Sequence, residues 1–207
     1  MSDDNFNPDY LIHSDDEPLR LERQARLYGT EDDLRFLAVS SASAVLDAGC
    51  GSGSATRAIA RNAPIGRVVG IDREPKYIDF ARRTADSEGL TNVQFEIGDV
   101  LRMPFPDGSF DIVWSKHLLQ WVAKRSEAIA ELVRVTRRGG RVVCCNFDRF
   151  CLAHYPTDER LQAELESWFA EIQNEDGIGR CSGEVPCLSQ PRFSVVTKQH
   201  AISLHES

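Results

Sequence analysis

The run Val45-Leu46-Asp47-Ala48-Gly49-Cys50-Gly51-Ser52-Gly53 constrains this 207-residue chain more than any other stretch. A short apolar strand ends beside an acid, and glycines follow at three alternate positions. The segment from Ser54 to Arg61, directly after, permits a helix. Glycine at alternate positions lets the backbone turn tightly and lets a ligand come closer than a Cβ allows. The carboxylate of Asp47 sits just before that turn. A site built this way favours a cofactor with a cationic end over one with a pyrophosphate.

The surrounding pattern alternates strand and helix. Ala44–Asp47, Arg67–Asp72, Val93–Ile97, Phe110–Trp114 and Arg141–Phe147 read as strands. Helices are expected over Ser54–Arg61, from Pro75 to about Ser87, and over Ser126–Arg137. Pro75 suits a first helical turn, and Gly89 closes that helix. Apolar runs, rather than strict alternation, mark strands buried on both faces. This βαβα order predicts a doubly wound, mostly parallel α/β sheet. Ahead of it, helices are expected over Asp16–Tyr28 and Glu31–Val39. Residues 1–39 are thus read as a tail and helical lid, and residues 40–207 as the main domain. Further on, Leu161, Leu165, Trp168, Phe169 and Ile172 form a helical stripe, Gly177 to Pro191 reads as loop, and Phe193 to about Ile202 as one last strand.

Composition narrows the function. A hydrophobic content of 42% and a charged content of 27% suit a soluble globular domain. The net charge of −8 argues against a dedicated nucleic-acid binder. No apolar run reaches the ~18–20 residues of a membrane span. The start, Met1-Ser2-Asp3-Asp4, is acidic, the opposite of a signal peptide, so a cytoplasmic location is expected. The six cysteines form no C-x-x-C pair, so no metal site is expected from them.

Three acids fall at the carboxyl ends of successive strands: Asp47, Asp72 and Asp99. Open α/β sheets bind ligands there, near the switch in strand order. Asp72 stands about twenty residues beyond the glycines, where a carboxylate takes both hydroxyls of a ribose. Asp99 can accept from an exocyclic amino group, with Val100 and Leu101 as an apolar wall for a base.

These runs together resemble the class I S-adenosylmethionine-dependent methyltransferases. Val45–Gly53 matches that family's first motif, and Val68-Val69-Gly70-Ile71-Asp72 its second-strand motif. Gly98-Asp99-Val100 and Phe110-Asp111-Ile112-Val113-Trp114 match the next two. Arg138-Gly139-Gly140-Arg141-Val142-Val143 resembles the turn into strand five, with Arg137-Arg138 where Lys-Pro is usual. Tyr10-Leu11-Ile12, Arg20-Leu21 and Gln24 resemble, more loosely, the lid of small-molecule methyltransferases of the ubiquinone and menaquinone-biosynthesis type.

The resemblance implies a Rossmann-like fold and S-adenosylmethionine as cofactor. Gly49, Cys50, Gly51 and Gly53 would lie along the methionine part, with Asp47 near its ammonium. Asp72, with Arg73 beside it, would hold the ribose. Asp99 and Val100 would hold the adenine. Ser115 and Lys116, just after strand four, would line the sulfonium region. His117 is the candidate base by position, ahead of His13 and His154, and Trp121 a candidate wall of the acceptor site. A structural histidine and core packing of Trp121 are the plainer alternatives.

A nicotinamide or flavin oxidoreductase fits less well. Its G-x-G-x-x-G register finds no glycine or alanine at Thr56, and Asp47 and Asp99 have no work with a dinucleotide. Ser115-Lys116-His117-Leu118 stands where amino-methyltransferases of DNA or protein carry Asn/Asp-Pro-Pro-Tyr/Phe. A small-molecule acceptor is therefore expected. The resemblance also implies a closing antiparallel strand pair, of which the C-terminal sequence offers one strand. From that follow two expectations: a cofactor-binding but impaired relative, and a sheet edge covered by a second copy.

Overall fold

The computed structural model describes residues 16–28, 34–35, 37–145 and 194–197. Helix α1 spans Glu17–Tyr28. Then follow β1 (Ala44–Ala48), α2 (Ser54–Asn62), β2 (Arg67–Asp72), α3 (Pro75–Ser87) and β3 (Val93–Ile97). The second half holds β4 (Phe110–Lys116), α4 (Arg125–Val135), β5 (Thr136–Cys145) and β6 (Ser194–Thr197). The expected lid, tail and C-terminal segments fall largely outside the described residues. So do His13, His154 and Cys151, Cys181 and Cys187.

The sheet runs β3-β2-β1-β4-β5-β6, and every pairing is parallel. The chain builds outward from β1 to β3, then returns to lay β4 beside β1. That reversal is the topological switch point, where the strand ends leave a crevice for a ligand. The residues of β1 divide between the faces. Val45 packs with Ile59 and Ala60 of α2 and with Ala63 at its C-terminal cap, and Leu46 and Ala48 with Ala128, Leu132 and Val135 of α4. A third cluster joins Cys50, Ile78, Ala81, Ala85 and Phe95 under α3. Each fully buried aliphatic side chain contributes about 1.5–3 kcal/mol, so this two-sided burial holds the strand ends in place.

The structure departs from the sequence reading at three places. β4 runs on to Lys116, because Ser115 and Lys116 pair with Cys144 and Cys145 of β5. Those two residues therefore end the strand instead of following it. The helix expected to reach Arg137 stops at Val135: Thr136 turns extended, its hydroxyl donates to the Leu132 carbonyl at 2.7 Å, and β5 begins there. The last strand is present over Ser194–Thr197, but it runs parallel to β5 where the resemblance implies an antiparallel closure. A parallel neighbour requires a crossover of a dozen or more residues, which the chain between β5 and β6 is long enough to provide.

Candidate functional site

The site grows from the turn after β1. Gly49, Gly51 and Gly53 have φ of 77°, 53° and 77°, a region that side chains with a Cβ rarely adopt. Their surroundings differ. A Cβ on Gly53 would lie 2.7 Å from the Phe95 ring and 2.8 Å from Ala81, so this glycine serves packing against α3 and β3. A Cβ on Gly49 would meet Leu118 at 2.9 Å. At Gly51 a Cβ would approach only Leu21 of α1, at 3.3 Å. Gly51 therefore faces the opening between the loop and α1.

The loop is stitched to β2. The amides of Gly49 and Cys50 both donate to the Ile71 carbonyl at 2.9 Å. The Gly51 amide donates to Asp72 Oδ2 at 2.9 Å, and the Glu74 amide to Asp72 Oδ1 at 3.0 Å. Burial raises the Asp72 pKa, and these backbone donors oppose the rise. Asp47 lies deeper, 2% exposed, and accepts from the Thr56 hydroxyl at 2.6 Å. Burial pushes its carboxyl up to about 7; the Thr56 bond opposes this, the Asp72 charge adds to it, and the Lys116 charge lowers it. Cys50 is buried and its thiol pushed well up, first by burial and then by the charges of Asp72 and Asp47. It is a packed wall, not a nucleophile.

At the neighbouring strand end, the Gly98 amide donates to the Asp72 carbonyl at 3.0 Å. That bond brings Asp99 beside Asp72. Asp99 is 42% exposed on its side chain, accepts from the Leu101 amide at 2.9 Å, and has Arg73 at 4.0 Å. Val100, beneath it, is buried in the α4-side core. Across the switch point, Ser115 is fully buried, and its Oγ has no hydrogen-bond partner among the described residues. His117 leaves β4 with φ of 56°, and its amide donates to the Cys145 carbonyl. Histidine tolerates this left-handed region better than most residues. Its backbone is thus part of the turn that ends β4, which is a structural duty whatever its ring does. Leu119–Trp121 follow as a single 3₁₀ turn.

The structure thus gathers Asp47, Gly49, Cys50, Gly51, Asp72 and Lys116 around one strand end, with Arg73, Asp99 and Val100 on one side and Ser115 on the other. Sequence reasoning missed Thr56, the partner of Asp47, and Arg57, which is 3% exposed. An arginine in the first turn of an amphipathic helix gives no local signal of burial. A hollow of about 320 Å³ lies elsewhere, between α3 and β3 and lined in part by Arg82, Phe95 and Glu96. Beside it the Arg82 guanidinium donates to the Phe95 carbonyl at 2.9 and 2.7 Å, capping the edge strand.

A doubly wound parallel sheet, a positive-φ glycine loop after β1 and acids at the ends of three adjacent strands together make a Rossmann-like fold of the methyltransferase type. The model of a methyltransferase-domain family matches residues 39–202, and the chain belongs to that family. It is 38% identical over 103 residues to a demethylmenaquinone methyltransferase of Deinococcus radiodurans, covering 50% of this chain and 42% of that protein. It is 31% identical over 140 residues to ajmaline N-methyltransferase of Rauvolfia serpentina, covering 63% and 48%. The chain spans under half the length of these curated relatives. Its fold matches that of a methyltransferase from Aquifex aeolicus with a TM-score of 0.62 at 20% identity, over 79% of this chain and 88% of that one. Among the described residues, no helix is long and apolar enough to cross a membrane.

Proposed function

We propose that the chain transfers a methyl group from S-adenosylmethionine to a small-molecule acceptor. The observation that carries this reading is the joint placement of Asp72 and Gly51: one carboxylate orders the open side of the glycine loop and ends the second strand. The residues present fit the cofactor. Gly51 offers backbone where a Cβ would intrude, and Asp47 supplies a buried carboxyl whose ionised form an ammonium would favour. Asp72 and Arg73 suit a ribose, Asp99 an adenine amino group, and Val100 its apolar face. Ser115 Oγ, a buried hydroxyl with spare hydrogen-bonding capacity among the described residues, and Lys116 line the reacting end.

When bound, the cofactor supplies an activated sulfonium methyl. The chain's own part is then to bind, orient and exclude water, and such positioning can provide much of the acceleration. His117 follows the strand end directly and is the candidate base for an acceptor that must lose a proton. The names of the relatives, a quinone-precursor enzyme and an alkaloid N-methyltransferase, support a small organic acceptor. The net acidic charge supports the absence of nucleic acid from the substrate range.

Calorimetric titration with S-adenosylhomocysteine tests the donor site, and release of S-adenosylhomocysteine across a panel of small amines, phenols, thiols and carbon acids tests turnover. Binding with turnover on one acceptor class is expected. Absence of binding would refute the cofactor site. Binding without turnover would favour an impaired relative.

A further inference from the structure

We propose that Arg57 is a positioning residue of the donor site, coupling cofactor binding to the docking of α1 through one buried guanidinium. This rests on reading the glycine loop as the S-adenosylmethionine site.

The geometry is specific. Arg57 Nη1 donates to the Ser52 carbonyl at 2.8 Å, inside the glycine loop between Gly51 and Gly53. Nη2 donates to both carboxylate oxygens of Glu22 on α1, each at 2.9 Å. Nε donates to Glu88 Oε2 at 3.0 Å, at the C-terminal cap of α3. Glu88 also accepts from Arg61 at 2.6 Å, so two arginines face two glutamates. Arginine is rarely buried this fully without partners. Here one planar fork serves three separate pieces of chain, which a lysine ammonium on its flexible stem cannot reproduce.

The link matters because of what the same turn of α1 does. Leu21, next to Glu22, lies across Gly51, the open position of the loop. When α1 docks, Leu21 roofs the loop and Glu22 neutralises Arg57. When α1 leaves, the Arg57 guanidinium loses the Glu22 carboxylate that fixes its fork and keeps only Glu88, a costly change for a charge packed in this way. The Ser52 carbonyl, held by that same guanidinium, then loses its fixed donor. Loop order and α1 docking therefore rise and fall together, and a ligand that orders the loop tightens α1.

The test uses the full chain with S-adenosylhomocysteine, reading Kd by calorimetry and hydrogen–deuterium exchange over residues 17–28. In the wild type, the ligand is expected to slow exchange in α1. Arg57→Lys keeps the charge and is expected to weaken binding about 10-fold, the worth of one charge-assisted hydrogen bond, and to abolish the slowing in α1. Glu22→Gln, which leaves the Ser52 contact intact, is expected to shift both readouts in the same direction by less, and it decides the matter if Arg57→Lys does not fold. A merely structural role would lower thermal stability while leaving the α1 response intact. An unchanged Kd and an unchanged α1 response in the variants would overturn the proposal alone. Failure of the wild type to bind would overturn the site reading together with it.

Discussion

The Gly51 amide and the Asp72 carboxylate, twenty-one residues apart, meet at 2.9 Å. Through that bond the end of β2 sets the shape of the loop after β1. Asp72→Ala removes both the loop anchor and the oxygens assigned to the ribose. Each hydrogen bond to a charged group contributes about 1.5–3 kcal/mol, so S-adenosylhomocysteine is expected to bind roughly 100-fold more weakly. Asp72→Asn keeps an acceptor for Gly51 and is expected to lose less. Calorimetric Kd values for the pair check this; equal affinities for wild type and Asp72→Ala would count against the assignment.

Asp47 makes the chain sensitive to pH. Its carboxyl rises from 3.8 to about 7 on folding, chiefly through burial. Between those values the folded state holds a proton that the unfolded state has lost. This group's contribution to stability therefore falls as pH rises from about 4 to 7, then levels off. Asp47→Asn retains an acceptor for Thr56 and is expected to gain stability over wild type across that window. Urea unfolding at pH 5 and pH 8 measures the difference. An approaching ammonium favours the ionised carboxylate, so cofactor binding near pH 6 is expected to release up to one proton. Calorimetry in buffers of different ionisation enthalpy reads that release, which Asp47→Asn should lack.

Gly53→Ala combines two penalties. The φ of 77° disfavours any Cβ by about 1–2 kcal/mol. Contacts of 2.7 Å to Phe95 and 2.8 Å to Ala81 add about 1–3 kcal/mol of overpacking. A loss of roughly 2–5 kcal/mol in chemical denaturation is expected from the two together. Gly89→Ala, at φ 68° with nothing within 4 Å of the added Cβ, should show only the backbone cost.

Ser115→Ala separates stability from function. Burying a hydroxyl without a hydrogen bond costs about 1–3 kcal/mol, so the variant is expected to unfold at equal or higher denaturant than wild type. The same change removes a polar group from the reacting end of the site, and affinity for S-adenosylhomocysteine should fall several-fold, by roughly one neutral hydrogen bond. Reduced stability with unaltered affinity would show that Oγ serves the fold instead.

The first three strands were legible to the residue or nearly so, because apolar runs there are bracketed by strong punctuation such as Gly66, Pro75 and Gly89. The acids at their ends were legible because strand order alone brings them to one edge. β4 was read two residues short: Ser115 and Lys116 are polar, and only pairing with β5 keeps them extended. The direction of β6 was hidden for a related reason, since a strand's own residues do not record which way its partner runs. Thr56 and Arg57 were invisible because their partners, Asp47, Glu22 and Glu88, lie 9 to 35 residues away.

The paired amides of Gly49 and Cys50 on the Ile71 carbonyl carry one more consequence. A glycine-rich turn is the most entropic stretch a chain can offer, yet here its first turn is held in the fold by the neighbouring strand. The ordering cost of that turn is met during folding, so little of it is left to subtract from affinity when a ligand arrives. Binding at this end should be close to rigid docking, with the conformational adjustment displaced outward to the helix above the loop.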